Sequence, residues 1–545
     1  MIRTSSLAAF TCAFALLICG AAAQSLLVGL DPGSNETVVI DSGTYSTALV
    51  GIAGNGTLIN NGAVLHGLAL GTASGGVGTY IQNGSSTLVS NPTGWLEIGA
   101  MYGTGHVIQN DGVVDYSSGL VLVSFHNFDS DASYTLNGGA LYSGTTSVGS
   151  YTAGTFIQTG GLHQTNYLRV ANYGVGTYLL SGGTLQATGN ETMSHGSFFA
   201  QTGGLNTTPV LGVGSYGLDF PDTYALSGGS LLTGRLYVSR TQSFIQTGGF
   251  LSISQGFSCD GGDATFGNAA WAGGATFETH GGSQTLTVDS GSQATRNLSM
   301  TLFAFPGYPP GRGDPRVTFE SSQHLASLTI YAGSVTLTPG DDKVLESNAL
   351  TDGGKIDLND NELRWDFPYN GPNPIGIVRN LIASARYAGG GVWKGGGITS
   401  SMADATTFGL GYWSKFDYIA VHRTFYGDAN GDGTVDVSDL EALATHWQTS
   451  NNFWAGGDFN YDGVVDASDL SLLALNWQAG AGSLADEIAA LGLPDIQVPE
   501  PGGILILLIA LSAAGLWHGG NRTYNRRRRE HRCAAQFRVS IARDG

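Results

Sequence analysis

The chain has 545 residues, of which 84 are glycine, and only 12% are charged. Average proteins have about 7% glycine and about 25% charged residues, so this composition excludes a helical bundle, a coiled coil and a typical cytosolic enzyme. The formal net charge of −19 argues against a nucleic-acid partner, because a protein that neutralises phosphates needs a basic face. We expect a folded, mainly β protein that is interrupted by glycine turns.

Residues 1–23 have the layout of a secretory signal peptide. Arg3 gives a short positive region, an apolar stretch follows, and three alanines at 21–23 provide a cleavage site before Gln24. The sequence therefore predicts export. A lipoprotein signal at Cys19 is the alternative interpretation of the same stretch.

Removal of this segment leaves few cysteines. Cys12 and Cys19 lie in the signal peptide and Cys533 lies near the C-terminus, so the exported body keeps only Cys259. It cannot form an internal disulfide, and its stability must come from packing and metal binding. We expect Cys259 to behave as a small buried hydrophobic residue.

A short phrase recurs within residues 24–251. It consists of an aromatic residue, a brief alternation of apolar and polar residues, and a Gly-Gly pair. The clearest copies begin about 22 residues apart, at Tyr134, Phe156, Tyr178, Phe199, Tyr224 and Phe244. A period of 20 to 30 residues is typical of a solenoid. Two or three short strands in each period predict one coil of a parallel β-helix.

Stacking explains why such coils fold together. Coils about 4.8 Å apart pair their backbone amides with the next coil and share one core. We expect the Phe, Tyr, Ile and Leu side chains of the phrase to face inward, and the Gly-Gly pairs to supply positive φ at corners. Neighbouring Asn, Gln, Ser and Thr are expected to form polar ladders. These repeats resemble those of autotransporter passengers and other exported β-solenoid proteins, a resemblance of fold that fixes no function.

Parallel β-helices also host lyases and hydrolases that act on pectin. That chemistry needs two or three carboxylates, or a carboxylate and a base, on one face of the solenoid. The candidates that neighbouring coils could bring together are Asp111, Asp115, Asp129, Asp131, His106 and His126. Because acidic residues in turns more often accept local backbone hydrogen bonds, we assign no catalytic residue.

Residues 252–425 have a different pattern. Stretches such as 316–320 and 334–338 alternate with period two, which is typical of a β-rich cap or a second β domain. The stretch 374–386 predicts the only helix before residue 430. The part from Gly354 to Tyr426 resembles a module that precedes the calcium-binding segment in related exported bacterial proteins, and that resemblance implies no activity.

Two twelve-residue segments, 428–439 and 458–469, match a calcium-binding loop. Such a loop supplies six to eight oxygen ligands to Ca²⁺ from positions 1, 3, 5, 7, 9 and 12. The predicted ligands are Asp428, Asn430, Asp432, Thr434, Asp436 and Asp439 in the first loop and Asp458, Asn460, Asp462, Val464, Asp466 and Asp469 in the second. Position 7 contributes its carbonyl oxygen, position 9 binds through water, and a glycine at position 6 allows the turn. The spacing predicts two calcium ions, with Val435 and Val465 at position 8 pairing the loops.

Each loop is followed by a helix, predicted at 440–447 and 470–477, and neither loop is preceded by one. The stretch 418–426 before the first loop reads as a strand, and 453–457 before the second reads as a loop. An EF-hand of the calmodulin type has an entering helix, and Glu rather than Asp at position 12. The missing entering helix and the Asp resemble the type I dockerin, a duplicated loop-helix module that here covers 426–480.

The dockerin resemblance implies a protein partner, because that family binds cohesin domains. It implies a cohesin-facing surface at Val437, Ser438, Ala467 and Ser468. The near-identity of the two halves implies binding in either of two orientations. A module that only rigidifies the end of the fold, without a partner, is the alternative.

The C-terminal part follows a linker over 481–497 and carries further targeting features. Residues 502–518 are uncharged and just long enough to cross a bilayer, and the basic run 526–529 places the tail at 530–545 in the cytoplasm. With Pro499, Glu500 and Pro501, the segment 498–529 resembles a PEP-CTERM sorting signal. That resemblance implies processing by a membrane protease of the exosortase type. A permanent single-span anchor is the alternative.

Taken together, these features predict a parallel β-helix, a smaller β-rich region and a small α-helical, calcium-binding dockerin module. We expect an exported cell-surface, matrix or secreted protein whose dockerin binds a cohesin-like partner. The alternative is a polysaccharide-degrading enzyme, either a glycoside hydrolase or a pectate-lyase-like enzyme, with an appended dockerin. A third hypothesis is a solenoid that only binds glycans, for which a row of exposed aromatic residues would be the sign.

Overall fold

A computed structural model of the chain describes residues 24–480, apart from 91–93, 101, 125–130, 215–219, 268, 287–297, 304–313 and 341. This part is mainly β, with a β-solenoid of about 14 turns, a β-rich region after it and a small helical region at 437–475. The predicted fold class is therefore confirmed. The predicted signal peptide, linker, sorting signal and tail lie outside the described residues.

The strands of the repeat region are short, or bend around a corner of the coil. In chain order they are β1 (Gln24–Val28), β2 (Asn35–Ile40), β3 (Thr44–Val50), β4 (Asn55–Asn60), β5 (Val64–His66), β6 (Leu68–Leu70), β7 (Val77–Gln82), β8 (Thr87–Val89), β9 (Trp95–Ile98), β10 (Thr104–Gln109), β11 (Val113–Val123), β12 (Ala132–Leu136), β13 (Ala140–Val148), β14 (Gly154–Gln158), β15 (Leu162–Val170), β16 (Gly176–Leu180), β17 (Thr184–Ala187), β18 (Asn190–Met193), β19 (Phe198–Val213), β20 (Thr223–Val238), β21 (Ser243–Gln246) and β22 (Phe250–Cys259).

The remaining elements complete the solenoid and its C-terminal end. The strands are β23 (Asp263–Phe266), β24 (Ala269–Trp271), β25 (Thr276–Thr279), β26 (Ser283–Leu286), β27 (Ser299–Leu302), β28 (Arg316–Phe319), β29 (Gln323–Leu325), β30 (Ser327–Ile330), β31 (Ser334–Leu337), β32 (Val344–Ser347), β33 (Leu350–Asp352), β34 (Lys355–Asp357), β35 (Glu362–Asp366), β36 (Gly397–Thr399), β37 (Phe408–Ser414) and β38 (Tyr418–Phe425). The helices are α1 (Ile375–Tyr387), α2 (Val437–Thr445) and α3 (Ala467–Leu475), with a short 3-10 helix at Trp454–Gly456.

Three parallel ladders run along the solenoid. The first ladder begins β2–β4–β7–β10–β12–β14–β16–β19–β20–β21 and continues through β23, β26, β28, β31 and β34 to β36. The second ladder runs from the start of β3 through β5 and β8 to β22 and β24, and the third runs from β1 through β6 and β9 to β33. The parallel pairing thus continues beyond Leu251, where the sequence predicts the end of the repeat domain.

The alternation along each strand decides which side chains form the core. In β14 the side chains of Phe156 and Gln158 are buried, while Ile157 between them is half-exposed. The same alternation holds in β7, where Tyr80 and Gln82 are buried and Ile81 is half-exposed. The prediction that the Ile of the phrase faces inward is therefore wrong. A period of two places the aromatic residue and the glutamine on the same side.

The inward aromatic rings form a continuous stack along the axis. Ring centroids of Tyr134, Phe156, Tyr178, Phe199 and Tyr224 follow one another at 4.9, 4.7, 4.7 and 4.5 Å. This spacing is the distance between paired strands, so the backbone ladder and the ring stack share one repeat. Each stacked pair contributes about 0.5–1.5 kcal/mol beyond the burial of its area.

The inward glutamines satisfy polar groups inside the solenoid. The hydroxyl of Tyr178 donates to Oε1 of Gln158 at 2.7 Å, and Nε2 of Gln158 donates to the carbonyl of Thr184 at 2.9 Å. Tyr224 donates to Gln201 at 2.7 Å in the same way. These bonds allow a buried row of amides, since each polar atom that they join keeps a partner.

The predicted glycine corners and polar ladders are present. Gly161 and Gly183, the second glycines of two pairs, have φ of 65° and 76°. A Cβ on Gly183 would lie 2.4 Å from the carbonyl oxygen of Gly161 in the preceding coil, so the corner excludes any side chain. On the outside of the corner, the side chain of Asn110 donates to that of Asn83 at 2.8 Å, and Asn137 donates to Asn110 at 2.9 Å. These hydrogen bonds form one polar ladder.

The C-terminal end of the solenoid is formed by residues 342–425, which contain its last ladder strands β33, β34 and β36 and which we call the end cap. A second sheet joins β29, β32 and β35 in parallel and then β35, β38 and β37 antiparallel. The predicted helix at 374–386 is confirmed as α1, which buries Val378, Ile382 and Arg386. Among the described residues before 430 it is the single α-helix.

Cys259, His163 and Glu191 are among the buried titratable side chains of the solenoid. Cys259 is buried, as predicted, and burial raises the pKa of its thiol to about 12. Burial lowers the pKa of His163 to about 3 and raises that of Glu191 to about 8. Oε2 of Glu191 accepts a hydrogen bond from Nδ2 of Asn206 at 3.0 Å, while Oε1 has no partner.

We predict that Glu191→Gln changes the pH dependence of stability. The folded protein keeps the Glu191 proton up to about pH 8, whereas the unfolded chain loses it near the usual pKa of 4.5. The folded state therefore binds more protons between these values, and stability falls as pH rises through this window. Denaturant titrations at about pH 5 and about pH 8 should show a smaller loss in Glu191→Gln, by a few kcal/mol at most, since one pKa unit corresponds to about 1.4 kcal/mol.

Glu278→Gln is the matched control, because Glu278 is half-exposed on the outside of β25. This variant should keep the wild-type difference between the two pH values. The contribution of His163 is common to all three proteins and cancels in the comparison. Equal pH dependence in wild type and Glu191→Gln would contradict a buried neutral carboxyl.

Candidate metal centre

The two predicted loops, 428–439 and 458–469, have closely similar conformations. Gly433 and Gly463 at position 6 have φ of 84° and 85°, in the left-handed region that glycine adopts without a steric penalty. Each loop leads directly into its helix after position 9, so α2 and α3 start three residues earlier than predicted. The 3-10 turn at 454–456 precedes the second loop, and β38 precedes the first, in agreement with the absence of entering α-helices.

Positions 9 and 12 of each loop are fixed by a capping box. In the first, the Asp436 carboxylate accepts from the amide of Ser438 at 2.7 Å, and Asp439 accepts from the amide of Asp436 at 2.9 Å. Asp466 and Asp469 repeat the arrangement in the second. These bonds satisfy amides at the helix start and place two carboxylates beside the loop.

Position 12 also closes the loop onto its beginning. Oδ1 of Asp439 accepts from the amides of Ala429 and Asn430 at 2.8 and 3.2 Å. Oδ1 of Asp469 accepts from the amides of Phe459 and Asn460 at 2.8 and 3.0 Å. Each twelve-residue loop is therefore drawn into a ring by its own last side chain, before any ligand is considered.

Position 1 differs between the loops. Both oxygens of Asp428 have partners: Oδ1 accepts from the amides of Gly431 and Asp432, and Oδ2 accepts from the amide of Gly433 and the hydroxyl of Thr424. In Asp458, Oδ2 accepts from an amide at 3.0 Å, but Oδ1 is buried with no partner. An unsatisfied buried carboxylate oxygen is costly, so the second loop has a place where a cation would be stabilising.

The electrostatics of the second loop also favour a bound cation. Burial, followed by the charges of Asp469 and Asp462, raises the pKa of Asp458 to about 7. Burial raises the pKa of Asp469 to about 6, despite backbone hydrogen bonds that lower it. Several carboxylates thus share a partly desolvated site, and a bound cation would favour their ionised forms.

The donor set fits calcium. Side-chain oxygens and a backbone carbonyl are the ligands that this hard cation prefers, and no sulfur or imidazole stands at a ligand position. Within the described part of the chain, no three His, Cys, Asp or Glu side chains are grouped as a metal site. In both loops the carboxylates accept the backbone hydrogen bonds described above instead. Donor chemistry, the position-6 glycines and the unpartnered oxygen of Asp458 support a calcium site.

The position-8 valines do not join the two loops through their backbones. The amide of Val435 donates to the carbonyl of Ala479 at 3.0 Å, and the amide of Gln478 donates to Val435 at 2.8 Å. Val465 pairs in the same way with Gln448 and Thr449 after α2. Each loop is therefore joined to the segment that follows the other helix, which interlocks the two halves.

The second loop is held by the end cap. Arg386 of α1 is buried, and its guanidinium donates to the carbonyls of Phe459 and Ala405 at 3.2 and 3.3 Å. It also lies over the rings of Tyr426 and Tyr461, 4.7 and 5.5 Å from their centroids. A buried guanidinium needs such partners, so Arg386 ties the cap to this loop.

Further hydrogen bonds reinforce this contact. The hydroxyl of Tyr387 donates to the carbonyl of Asn460 at 2.7 Å, and the buried Tyr461 hydroxyl accepts from the amide of Leu410 at 2.9 Å. Trp454 donates through Nε1 to the carbonyl of Asp428 at 2.6 Å, which links the two halves. The loop-helix segment and the end cap therefore pack as one structure.

A repeat of loop and exiting helix, without entering helices, corresponds to a known family. The family model described as the dockerin type I domain matches residues 426–475. These residues form a dockerin type I domain. Comparison with curated proteins and with solved structures gave no match to the chain.

The dockerin supports the broad predictions of cofactor and partner. Type I dockerin domains are calcium-binding, and dockerin domains bind cohesin domains. Such a domain indicates an extracellular or cell-surface protein. In the part of the chain that the structure covers, no helix is long and apolar enough to cross a membrane, and the predicted span at 502–518 lies outside that part.

The predicted partner surface lies at the first turns of the two dockerin helices. Val437 and Ser438 of α2 are exposed, as are Ala467 and Ser468 of α3. Val437 is 69% exposed, although it is apolar. The structure thus leaves both predicted surfaces accessible while the second loop is held by the end cap.

Two of the candidate acids of the solenoid accept local backbone hydrogen bonds. The carboxylates of Asp111 and Asp115 each accept from a backbone amide one or two residues further on, at 2.8 and 3.0 Å. Nδ1 of His106 forms a hydrogen bond with Oγ of Ser133 at 2.8 Å. Burial lowers the pKa of His106, and the charge of Asp131 offsets only part of this effect. The two others lie outside the described residues: Asp129 and His126.

Sequence reasoning missed the groups that support the dockerin from outside. Thr424 precedes the first loop by four residues and donates to Asp428. Arg386 and Tyr387 lie 73 residues before the carbonyls of the second loop that they bind. The available signal was an arginine on the apolar face of the predicted helix, next to a tyrosine at the end of that helix. The sequence does not show which groups this arginine contacts, because the tertiary fold decides that.

We predict that Arg386→Ala loosens the dockerin from the end cap. The substitution removes the donors to the carbonyls of Phe459 and Ala405, of which the first is buried, and the packing on the rings of Tyr387, Tyr426 and Tyr461. It should therefore cost about 3 kcal/mol of stability. Hydrogen exchange should show faster exchange of amides in residues 459–465 and in α3. Arg169→Ala, on the exposed outside of β15, is the control and should leave these amides unchanged. Unchanged protection in Arg386→Ala would contradict the contact.

Proposed function

We propose that the chain is an exported cell-surface or extracellular-matrix protein, in which the solenoid is a stalk and the dockerin binds a cohesin-like partner when it holds calcium. The observation that carries this proposal is the arrangement of the dockerin. One side of it is fixed to the end cap through Arg386, Tyr387 and Tyr461, while the first turns of both helices are exposed. The solenoid then acts as a rigid support for a docking surface.

Two calcium ions are part of the proposal, one in each loop. The residues that would hold them are Asp428, Asn430, Asp432, the Thr434 carbonyl, Asp436 through water and Asp439, and likewise Asp458, Asn460, Asp462, the Val464 carbonyl, Asp466 through water and Asp469. Calcium supplies positive charge that offsets the crowded carboxylates. The loop residues in turn hold the first turns of α2 and α3 in place, because positions 9 and 12 cap both helices.

Export and sorting complete the proposal. The sequence order of signal peptide, Pro499-Glu500-Pro501, apolar stretch 502–518 and arginine run supports processing by an exosortase-type protease, with a transient membrane span. The dockerin supports a location outside the cytoplasm. The proposal also includes an extracellular polysaccharide as an additional partner.

The solenoid surface favours a support over an enzyme or a glycan-binding platform. Of the described candidate acids, Asp111 and Asp115 are engaged in local hydrogen bonds. Exposed aromatic residues do occur in a row at one corner, where Tyr151 and Tyr173 stack at 5.3 Å with an angle of 20° and Tyr173 lies 6.0 Å from His195. Because Tyr151 and Tyr173 turn faces toward each other, those faces are not open to a sugar ring.

Calcium titration tests the number of ions. Isothermal titration of the calcium-free chain should give two bound ions, and Asp428→Asn or Asp458→Asn should each remove one. The double variant should bind none, and EDTA should then cause no further change in the circular-dichroism melt. In the wild type, EDTA should unfold residues 428–477.

Asp111→Asn, in a solenoid turn, is the control for these variants and should retain two ions. A wild-type melt that is the same with calcium and with EDTA would contradict calcium-dependent folding. Retention of both ions in the double variant would contradict the assignment of the loops.

Partner binding can be tested with a panel of type I cohesin domains in calcium and in EDTA. We expect calcium-dependent capture. Val437→Asp or Ala467→Asp alone should retain binding through the other helix, whereas the double variant should lose it. An added Asp at a helix N-terminus is compatible with the helix dipole, so these variants should fold.

The double variant Thr445→Asp and Ser471→Asp is the control for added charge, because these positions lie further along the helices. Its calcium stoichiometry and its capture by cohesin should match the wild type. Capture of the Val437→Asp/Ala467→Asp protein would refute the predicted surface, and loss in the single variants would refute two equivalent orientations.

A further inference from the structure

The outward side of the first ladder carries a row of apolar residues. Each rung contributes the side chain that lies between the two inward residues of its strand. Along ten successive coils, this apolar column consists of Val39, Ile59, Ile81, Ile108, Thr135, Ile157, Leu179, Ala200, Ala225 and Ile245. Seven of the ten are Val, Ile or Leu, and all are half-exposed or exposed.

A second row lies beside the first, two residues earlier on each strand. This threonine column consists of Thr37, Thr57, Thr79, His106, Ser133, Thr155, Thr177, Phe198, Thr223 and Ser243. The two columns together form what we call the outer face of the first ladder. It contains no Asp, Glu, Lys or Arg.

Other outward surfaces of the solenoid carry charge. On the third ladder, Glu97, Arg169 and Glu278 occupy one outward column. On the first ladder itself, charge returns after the tenth coil, with Asp263 and Arg316 in the row of the threonine column. The uncharged outer face therefore ends where the repeat phrase ends, and is a feature of the repeat rather than of parallel pairing.

Outward residues of a solvated sheet are usually polar, so a long aliphatic row needs a reason. Ten rungs about 4.8 Å apart give a length of about 48 Å, and two columns with their side chains give a width of about 13 Å. The face thus offers about 600 Å² on one chain. Two such faces in contact would bury about 1,200 Å², the lower limit of a standard specific interface.

We propose that this face is covered by a second copy of the chain, with the two solenoids antiparallel about a two-fold axis. Both partners have the same rung spacing, so β-branched side chains of one can lie between those of the other. The chain has a net charge of −19, and the uncharged face is where two copies can approach without close like charges.

The composition of the face argues for this occupant over others. A membrane surface would select basic residues and Trp at its edges, and the two columns contain neither. A glycan is usually bound by a row of open aromatic faces, and among the side chains of the two columns only Phe198 and His106 are aromatic. This inference is independent of the dockerin and of calcium.

A charge at the middle of the face tests the proposal. Ile157 is the sixth of the ten rungs, so in an antiparallel pair it lies near its own symmetry mate. We expect sedimentation of the full chain to show a dimer, and Ile157→Glu or Ile157→Lys to raise its dissociation constant by about 100-fold or more. A one-to-one mixture of the two variants should dimerise again, because opposite charges then meet at the axis.

Leu162→Glu is the matched control. Leu162 lies in the same coil, five residues on, and is half-exposed on the second ladder. This variant should remain a dimer, and circular-dichroism melts should show that all three variants fold. A wild-type chain that is monomeric at every concentration would overturn the proposal. So would a dimer that Ile157→Glu leaves intact, or a monomer that binds microcrystalline cellulose through Ile157.

Discussion

The parallel hydrogen-bonded register between successive coils is the constraint on which this molecule depends. Once residue 156 pairs with 134 and 178, every other position in the coil has the same kind of neighbour above and below. Like side chains must then tolerate one another at the strand spacing. Aromatic rings satisfy this by stacking, amides by hydrogen bonding in rows, and glycines by leaving room for the carbonyl of the preceding coil.

The repeat period and the positions of the corners follow from sequence alone, because both are local. The spacing of aromatic residues and the Gly-Gly pairs predict a parallel solenoid, and the structure confirms it. The prediction that the Ile of the phrase, as at Ile157, faces inward is wrong, because it ranks hydrophobicity above the alternation of the strand. In a strand of period two, the aromatic residue fixes the phase, and the glutamine is then buried because Tyr178 and a backbone carbonyl provide partners.

The calcium loops illustrate the same division between local and distant information. The proposed ligands lie within twelve residues, so spacing alone suggests them. The capping boxes of Asp436 and Asp466 are equally local. The attachment of the second loop to Arg386 and Tyr387 depends on residues 73 positions away. No sequence periodicity predicts such a contact, because it depends on how α1 packs on the end of the solenoid.

This attachment changes what a dockerin can do for the rest of the chain. A docking module on a flexible linker gives its partner no direction, whereas the Arg386 and Tyr461 contacts fix these helices against the last coils. A partner bound at the helix starts therefore has a defined orientation relative to the solenoid axis. In the proposed antiparallel pair, the two dockerins lie at opposite ends of the dimer. Such a dimer could join two partners across the length of the stalk, which a monomer with one docking surface could not.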